Sequence, residues 1–261
     1  MKKALWVNFV GTANVGDRAC SLTRYLKILG APAGWTHENV NITSVNLDTA
    51  KRAKASVIII GAGGLLMSTI HAFLGALLHS PPCPVVIWGI GSNYALDYVG
   101  PEYPDFLRKA TQVAIRDEGS PFRMIPCPTC LHPNFRQPRV RSERVIVYEH
   151  YERAPIGLPF PTMKNNDPGG IEKVIAFLSS AEAVVTNTYH GAYWATLLGL
   201  RVVISESFST RFRRTLWKYP ALDCAAKLDE KIAAAPVDQN ALERCVDLNL
   251  SFWKIVRTLF R

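Results

Sequence analysis

The fold class is indicated most clearly by the stretch VVTNTYHGAYWATLLGLRVVI, residues 184–204. It opens with an apolar run of strand length, which a polar cluster with Tyr189, His190 and Gly191 interrupts. A small, apolar segment of helix length follows up to Gly199, and β-branched residues then begin a second apolar run. The pattern predicts a strand, a loop, a helix and a second strand, with His190 and Gly191 in the loop after the first strand.

A histidine in that loop is well placed to meet a charged substrate. Ligands of open α/β sheets bind at the carboxyl edge of the strands. The N-terminus of the following helix also offers free N–H groups and a partial positive charge to an anion. His190 and Gly191, together with Asn187 of the polar cluster, are therefore candidate site residues.

The composition indicates a globular chain of enzyme size with a basic surface. Of the 261 residues 48% are hydrophobic, which is enough for one large domain or two modest ones. Lys plus Arg number 30 against 21 Asp plus Glu, a formal charge of +9 that favours phosphate-bearing or acidic partners. No RNP, zinc-finger or helix-turn-helix pattern is present, so nucleic acid is not expected as a partner.

Six cysteines in a chain of this length are too few for a disulfide scaffold, and they favour reduced thiols in the cytoplasm. Cys127 and Cys130 form a lone C-x-x-C, whereas a structural zinc normally has four ligands, so no metal is expected. The opening MKKALWVNFV fits a first strand better than a signal peptide. The longest apolar stretch, residues 61–78, falls short of a membrane span.

Three successive strands of the first half are predicted to end in glycine-containing loops. Residues 4–10 form the first strand, and Asn14, Gly16 and Asp17 follow it ahead of a helix at about residues 18–29. Glycine lets the backbone approach a ligand closely, and the two polar residues are good hydrogen-bonding partners. A capped strand-to-helix turn explains Asp17 equally well.

The second and third of these strands, residues 57–60 and 85–88, precede Gly63, Gly64 and Asn93. A lone G-x-G-G after a strand is weak evidence for a dinucleotide, because no acidic residue follows at the distance of a ribose partner. Tight packing or close approach to a phosphate is the favoured explanation of these glycines.

Three arginines are candidate anion ligands. Arg116 leaves the tip of a predicted strand, residues 112–115, while Arg211 and Arg213 follow a loop rich in hydroxyl groups. An arginine at a strand tip can clamp a carboxylate or a phosphate with two hydrogen bonds. Pairing with the neighbouring Asp117 is an equally good explanation of Arg116.

Four prolines and several arginines in residues 124–144 are typical of a linker, so a domain boundary is predicted there. The predicted domains are residues 1–135 and 140–240. Residues 241–261 form a C-terminal helix, which packs across both domains or rests its basic aromatic side on a membrane surface. The second domain begins with a strand that ends at His150, a lone histidine and a further candidate site residue.

Five segments, in order and at suitable spacing, carry a family resemblance. They are Asn14-Val-Gly-Asp17, Gly61-Ala-Gly-Gly-Leu-Leu66, Trp88-Gly-Ile-Gly-Ser-Asn93, Ile115-Arg-Asp117, and Thr186-Asn-Thr-Tyr-His-Gly191 followed by Gly199-Leu-Arg-Val-Val-Ile204. Together they resemble the polysaccharide pyruvyl transferase family, and most of all its ketal pyruvyltransferases of bacterial exopolysaccharides, of the xanthan kind. The resemblance implies an α/β fold of two Rossmann-like domains, GT-B-like, with the acceptor on the N-terminal side, the donor on the C-terminal side and a C-terminal helix crossing back.

The resemblance also implies an activity and residue roles. The activity is transfer of the pyruvyl group of phosphoenolpyruvate to a saccharide, with no cofactor and no metal. His190 matches the general acid, Arg116 the arginine near the donor, and Arg211 or Arg213 the cation that holds the donor's anionic groups. Two positions depart from the family pattern: many relatives carry arginine where this chain has Thr188, and their Asp-Pro is Cys127-Pro128 here.

The chemistry of phosphoenolpyruvate sets physical demands. Its phosphate and carboxylate are expected to lie against two arginines and the helix N-termini near Gly16 and Gly191. A positioned imidazolium suits protonation of the methylene carbon. The base that deprotonates the sugar hydroxyls is Asp17, Glu149 or His150, and the sequence does not separate these three.

Two other functions stay open at this point. One is a GT-B glycosyltransferase that uses a sugar nucleotide, and the other is a non-catalytic protein that binds a saccharide or an anion, which Thr188 would fit. For the pyruvyltransferase, the expected acceptor is a lipid-linked saccharide. The expected location is therefore the cytoplasm, in peripheral contact with the inner face of the cell membrane.

Overall fold

A computed structural model describes residues 2–45, 48, 53–101 and 103–260, and it has a mixed α/β fold with two parallel sheets. The first sheet has six strands in the order β2-β1-β3-β4-β5-β6, and every neighbouring pair is parallel. Central strands β3 and β4 are buried along their whole length. The strands are β1 (Lys2–Asn8), β2 (Trp35–Asn41), β3 (Val57–Leu66), β4 (Val85–Ser92), β5 (Gln112–Ile115) and β6 (Arg123–Met124).

The second sheet has four strands in the order β10-β9-β7-β8, again all parallel. Val184 of β9 pairs with Ile146 of β7 on one side and with Val202 of β10 on the other. These aliphatic residues are buried, as in parallel sheets that are covered on both faces. The strands are β7 (Glu143–Glu149), β8 (Thr162–Lys164), β9 (Ala181–Thr186) and β10 (Arg201–Ile204).

α-Helices connect four successive pairs of the parallel strands, β1 to β2, β3 to β4, β8 to β9 and β9 to β10. Short 3-10 turns supplement them between β4 and β5 and after β6. The α-helices of the described residues are α1 (Val15–Ala19), α2 (Leu26–Leu29), α3 (Ser68–His79), α4 (Gly170–Ser179), α5 (Tyr189–Leu197), α6 (Leu228–Ala234) and α7 (Ala241–Val256).

The strand, helix and strand predicted for residues 184–204 are confirmed as β9, α5 and β10, but the loop is shorter than predicted. Helix α5 already begins at Tyr189, so His190 and Gly191 lie in its first turn. The reason is Thr188, whose Oγ1 accepts a hydrogen bond from the N–H of Gly191 at 2.9 Å and caps the helix. The side chain of His190 is therefore held by a helix rather than by a loop.

The glycines of the first sheet lie inside strands, which corrects the predicted loops. Strand β3 continues through Gly63 and Gly64, and β4 continues to Ser92. At Gly61 a side chain is excluded, because a Cβ there would lie 2.2 Å from the carbonyl oxygen of Trp88 on the neighbouring strand. This close strand pairing agrees with tight packing, one of the two explanations expected for the glycines after residue 60.

Two further predictions were wrong in detail. The single helix expected at residues 18–29 is α1, a 3-10 turn and α2, with extended backbone at Ser21 between them. The expected linker of residues 124–144 is mostly buried, with Cys127, Cys130 and Phe135 inaccessible to solvent. Its prolines begin two 3-10 turns, and only residues 136–142 form an exposed connection between the sheets.

The buried part of this segment packs on α5. Tyr193 donates its hydroxyl hydrogen to the carbonyl oxygen of Cys127 at 2.8 Å, and the indole N–H of Trp194 donates to Thr129 at 2.9 Å. One apolar core extends from residues of the first sheet to residues of the second. The division into domains at residues 1–135 and 140–240 therefore stays a prediction.

Helix α7 follows the second sheet in the chain and packs against the first. The indole N–H of Trp88 on β4 donates to Asn249 at 2.9 Å, and the ring of Phe252 meets Trp88 edge-on at 5.1 Å between centroids. Beyond the helix, Phe260 lies 4.6 Å from Trp35 of β2. Among the described residues, no helix is long and apolar enough to cross a membrane. Contact with the membrane face stays a prediction.

Candidate active site

The carboxyl edges of the two sheets meet, and hydrogen bonds join them. The N–H of Val15 in α1 donates to the carbonyl oxygen of Asn165, which follows β8, at 2.7 Å. At the other side, Thr210 contacts the hydroxyl of Ser92 at 2.6 Å and accepts the N–H of Tyr94 at 3.0 Å. The site therefore forms where the loops of both sheets converge, as expected for α/β folds.

His190 lies at the centre of this junction and is only 5% exposed. Its ring packs on α1 so closely that a Cβ at Gly16 would lie 2.1 Å from Nδ1. Its Nε2 lies 3.2 Å from Sγ of Cys20 and 3.8 Å from Sγ of Cys127, and the two sulfurs are 3.4 Å apart. The imidazole thus contacts two thiols that the sequence did not mark as site residues.

The two thiols differ in acidity. Burial alone would raise the pKa of Cys127, but hydrogen bonds with Cys20 and His190 bring it well below the ordinary value. Burial and the hydrogen bond to Cys127 raise the pKa of Cys20 well above that value. Of the two thiols, Cys127 is therefore the more acidic.

Arg116 lies beside this cluster and is 2% exposed. Its guanidinium stacks 3.8 Å from the centre of the Tyr189 ring, and its Nε is 3.9 Å from a carboxylate oxygen of Asp117. That carboxylate also accepts the N–H of Ser92 at 2.7 Å, so Arg116 does not hold it alone. Nε and Nη1 of Arg116 have no hydrogen-bond partner in the described part of the chain, which leaves them available to an anion.

Arg211 approaches from the second half of the chain. The link between Thr210 and Ser92 brings it to β4, where its Nε donates to Oδ1 of Asn93 at 2.5 Å. Burial lowers the pKa of Arg211, the carboxylate of Asp17 opposes that shift, and the charge of Arg116 adds to it. Two cations from opposite halves, the buried Arg116 and the half-buried Arg211, therefore lie close enough to affect one another, which suits a ligand with two anionic groups.

Arg213 lies outside this arrangement. Its side chain is exposed and donates to the carbonyl oxygen of Leu96 at 2.6 Å. Of the two arginines predicted to hold the donor, the structure brings Arg211 to the cluster and not Arg213.

The expected anion sites at helix N-termini are already occupied by the protein. Oδ1 of Asn14 accepts the N–H groups of Gly16 at 2.9 Å and of Asp17 at 3.4 Å. Thr188 takes the N–H of Gly191 in the same way. These caps take up N–H groups at both helix N-termini, and the unpartnered nitrogens of Arg116 remain as candidate anion ligands.

The remaining predicted site residues lie around this junction, where they form a hydrogen bond between strands or allow close packing. Asn187 accepts the N–H of His150 at 2.8 Å and so joins β9 to the end of β7. A Cβ at Gly63 would lie 3.5 Å from the sulfur of Cys20, and one at Gly64 would lie 3.0 Å from Cβ of Asn93. A Cβ at Gly191 would collide with Thr188 at 2.5 Å.

Hydrogen bonds distinguish the three candidate bases. Glu149 accepts the N–H of Ile156 at 2.9 Å, and Nδ1 of His150 accepts the N–H of Glu152 at 3.2 Å. Burial lowers the pKa of His150, and the charge of Arg211 lowers it further. A neutral His150 with Nδ1 occupied presents an N–H, which makes it a donor rather than a base.

Asp17 is the third candidate base. It is 9% exposed, and its carboxylate makes no hydrogen bond with the described residues. It acts electrostatically on Cys20, Arg211 and His150. Its position between the thiol cluster and Arg211 suits a group that takes a proton from a bound hydroxyl.

The sequence profile of the polysaccharide pyruvyl transferase family matches residues 17–205, which is most of the chain. The chain belongs to this family. Membership supports a pyruvyltransferase-like role and implies a saccharide acceptor. None of the curated proteins compared with the chain matches it.

Solved structures match the fold at low sequence identity. A variant of the wall teichoic acid polymerase TagF is 10% identical, with 99% of this chain and 87% of that chain covered and a TM-score of 0.52. The same polymerase soaked with CDPG is 11% identical, with the same coverage and a TM-score of 0.50. An uncharacterised protein from Klebsiella pneumoniae is 14% identical over 89% of this chain and 87% of its own, with a TM-score of 0.48. The likeness to TagF concerns the fold alone, and the division into two Rossmann-like domains stays a prediction.

Proposed function

We propose that the protein transfers the pyruvyl group of phosphoenolpyruvate to a saccharide, forms a cyclic pyruvate ketal and releases phosphate. The observation that carries the proposal is the convergence of His190 with two cations, the buried Arg116 and the half-buried Arg211, in a member of the pyruvyl transferase family. Phosphoenolpyruvate carries a phosphate and a carboxylate, and one cation faces each group in this scheme.

The reaction proceeds in two steps. A saccharide hydroxyl loses its proton to Asp17, and its oxygen adds to C2 of the enolpyruvyl group while C3 takes a proton from His190. A second hydroxyl of the same saccharide then gives its proton to His190, which became neutral in the first step, and its oxygen bonds to C2 as the C2–O bond to phosphate breaks, which closes the ketal. The leaving phosphate stays paired with an arginine until it departs.

The thiol cluster supports the acid role of His190. The sulfur atoms of Cys20 and Cys127 lie 3.2 Å and 3.8 Å from Nε2 and hold the imidazole in place. The buried surroundings exclude water, which strengthens charge interactions in the site. His190→Ala is therefore expected to abolish transfer while the fold is retained.

Calorimetric titration with phosphoenolpyruvate tests the cation pair. Arg116→Leu and Arg211→Gln are each expected to weaken binding at least tenfold, because each removes a partner of one anionic group. Arg213→Gln is the matched control, since this side chain is exposed and bonds to Leu96, and it should bind as the wild type does. If all three substitutions weaken binding equally, the loss of affinity follows from the change in net charge, and the proposed pair of Arg116 and Arg211 is refuted.

A nucleotide sugar serves as the competing ligand in the same titration. If it binds and phosphoenolpyruvate does not, the chain is a glycosyltransferase with the same overall architecture. If neither binds, a non-catalytic role follows.

A further inference from the structure

We propose that Cys20, Cys127 and His190 form a binding site for one thiophilic divalent cation of the zinc class. This inference goes beyond the proposed function, since pyruvyl transfer requires no metal. It also differs from the expectation from sequence, where the lone C-x-x-C gave no reason to predict a metal.

The three ligands come from three separate elements. Cys20 ends α1, Cys127 follows β6, and His190 lies in the first turn of α5. Their donor atoms are 3.4 Å apart for the two sulfurs, and 3.2 Å and 3.8 Å apart for the sulfurs and Nε2. All three donor atoms lie within 4.8 Å of one another.

These separations match the ligands of one zinc ion. Bonds of about 2.3 Å to sulfur and about 2.1 Å to nitrogen at tetrahedral angles put two sulfurs roughly 3.8 Å apart and a sulfur and a nitrogen roughly 3.6 Å apart. The observed distances differ from these by a few tenths of an ångström. Small side-chain rotations that move the donor atoms by this distance are enough for all three atoms to reach one ion.

The donor set selects the class of cation. Two sulfurs and an imidazole nitrogen suit Zn²⁺ or Co²⁺, whereas Mg²⁺ and Ca²⁺ require oxygen ligands. Two thiolates neutralise a divalent ion, so the bound cluster adds little charge beside the buried cation of Arg116.

The site is tertiary and does not use the C-x-x-C motif. Cys130 lies apart from the cluster, where its sulfur accepts a hydrogen bond from Nδ2 of Asn249 at 3.4 Å. Three protein ligands leave a fourth coordination position for water or for an oxygen of another molecule. A metal ion bound to Nε2 of His190 occupies the lone pair that would otherwise hold a proton. Metal binding and protonation at Nε2 therefore exclude each other.

The test is titration of the reduced full-length chain with Co²⁺, followed by displacement with Zn²⁺ against a chromophoric indicator. We expect one equivalent of Co²⁺ to give the intense visible absorption of a tetrahedral site with thiolate ligands, and Zn²⁺ to abolish that absorption. Mg²⁺ should leave it unchanged. The measurement needs no substrate and does not depend on enzymatic activity.

Substitutions locate the ligands. Cys20→Ala with Cys127→Ala should weaken Zn²⁺ binding at least 100-fold, and His190→Ala should weaken it at least tenfold. Cys130→Ala controls for the C-x-x-C motif. A double variant, Cys83→Ala with Cys224→Ala, controls for the more accessible thiols. These controls should bind as the wild type does.

Three results overturn the proposal. The first is a wild-type Co²⁺ spectrum without thiolate absorption, which needs no variant and so holds even if the double variant fails to fold. The second is Zn²⁺ binding that survives the Cys20 and Cys127 substitutions. The third is loss of binding in Cys130→Ala, which would assign the metal to the sequence motif instead.

Discussion

At the residue scale, the absence of a side chain at position 16 determines how His190 sits. The ring occupies the space that a Cβ at Gly16 would fill, with 2.1 Å between that position and Nδ1. Gly16 of the first family segment and His190 of the last one are therefore in direct contact. The sequence marked both residues but gave no reason to place them together.

Gly16→Ala tests this contact. The new methyl group forces the imidazole away from the thiols, so we expect a loss of roughly 1–3 kcal/mol of unfolding free energy from overpacking, together with loss of transfer. Gly75→Ala on α3 is the control, because its Cβ would meet Phe106 at an ordinary 3.6 Å. The control should gain about 0.5–1 kcal/mol, as alanine replaces glycine in a helix. Chemical denaturation measures both, and an unperturbed Gly16 variant would contradict the packing.

His150 gives a pH dependence of stability. Its pKa is lowered by burial and by Arg211, so the unfolded chain binds a proton before the folded chain does as the pH falls. The stabilisation is therefore complete above a pH of about 6.5 and is lost as the pH falls from there through the lowered folded value. The difference in unfolding free energy between wild type and His150→Gln should shrink across this window, since the other histidines are common to both. A difference that does not vary with pH would contradict the buried neutral state.

At the scale of elements, helix α5 carries the histidine and Thr188 fixes where the helix begins. Relatives with arginine at this position would place a cation near the donor, whereas here the side chain is a 3% exposed cap that also contacts Thr186 at 3.0 Å. In the proposed reaction, Arg116 and Arg211 supply the cations instead. The departure at Thr188 is therefore compatible with an active site.

Thr188→Val removes the cap and keeps the shape. We expect unfolding free energy to fall by about 1 kcal/mol, the usual value of an N-cap, and transfer to decrease because His190 follows two residues later. Thr188→Ser retains the hydroxyl and should restore both quantities. If valine behaves like serine in thermal melts and in turnover, the cap has no role.

The elements also mark the limit of what the sequence predicts. Apolar periodicity located β1, β3, β4, β5, β7, β9, β10 and α5, because each of these signals is local. The extension of β3 through its glycines depends on pairing with β4, and the burial of residues 124–135 depends on α5. Cys20, Cys127 and His190 are separated by 107 and 63 residues, so only the fold brings them together.

At the scale of the molecule, α7 ties the second half of the chain to the first. Asn249 is wholly buried, accepts the indole N–H of Trp88 and donates to the carbonyl oxygen of Pro126 at 3.2 Å. Its amide thus satisfies polar groups from two segments of the core. The strand, the buried segment and the helix are expected to unfold together.

Asn249→Leu tests this coupling. It leaves the indole N–H and the carbonyl oxygen buried without partners, so we expect a loss of at least about 2 kcal/mol. Ser251→Ala, an exposed position on the same helix, is the control and should change stability by less than about 0.5 kcal/mol. Urea denaturation followed by tryptophan fluorescence measures both, and equal midpoints would contradict the role of Asn249.

Transfer of a pyruvyl group to form a ketal can be followed with phosphoenolpyruvate labelled with ¹³C at C2. The protein is incubated with this donor and a panel of lipid-linked or model glycosides, and the products are analysed by NMR. We expect a new ketal carbon attached to a saccharide, with an equal amount of phosphate released, and neither product with His190→Ala. A wild-type protein that binds phosphoenolpyruvate yet forms no ketal on any acceptor would refute ketal formation, and a His190→Ala variant that still forms the ketal would refute the role of His190.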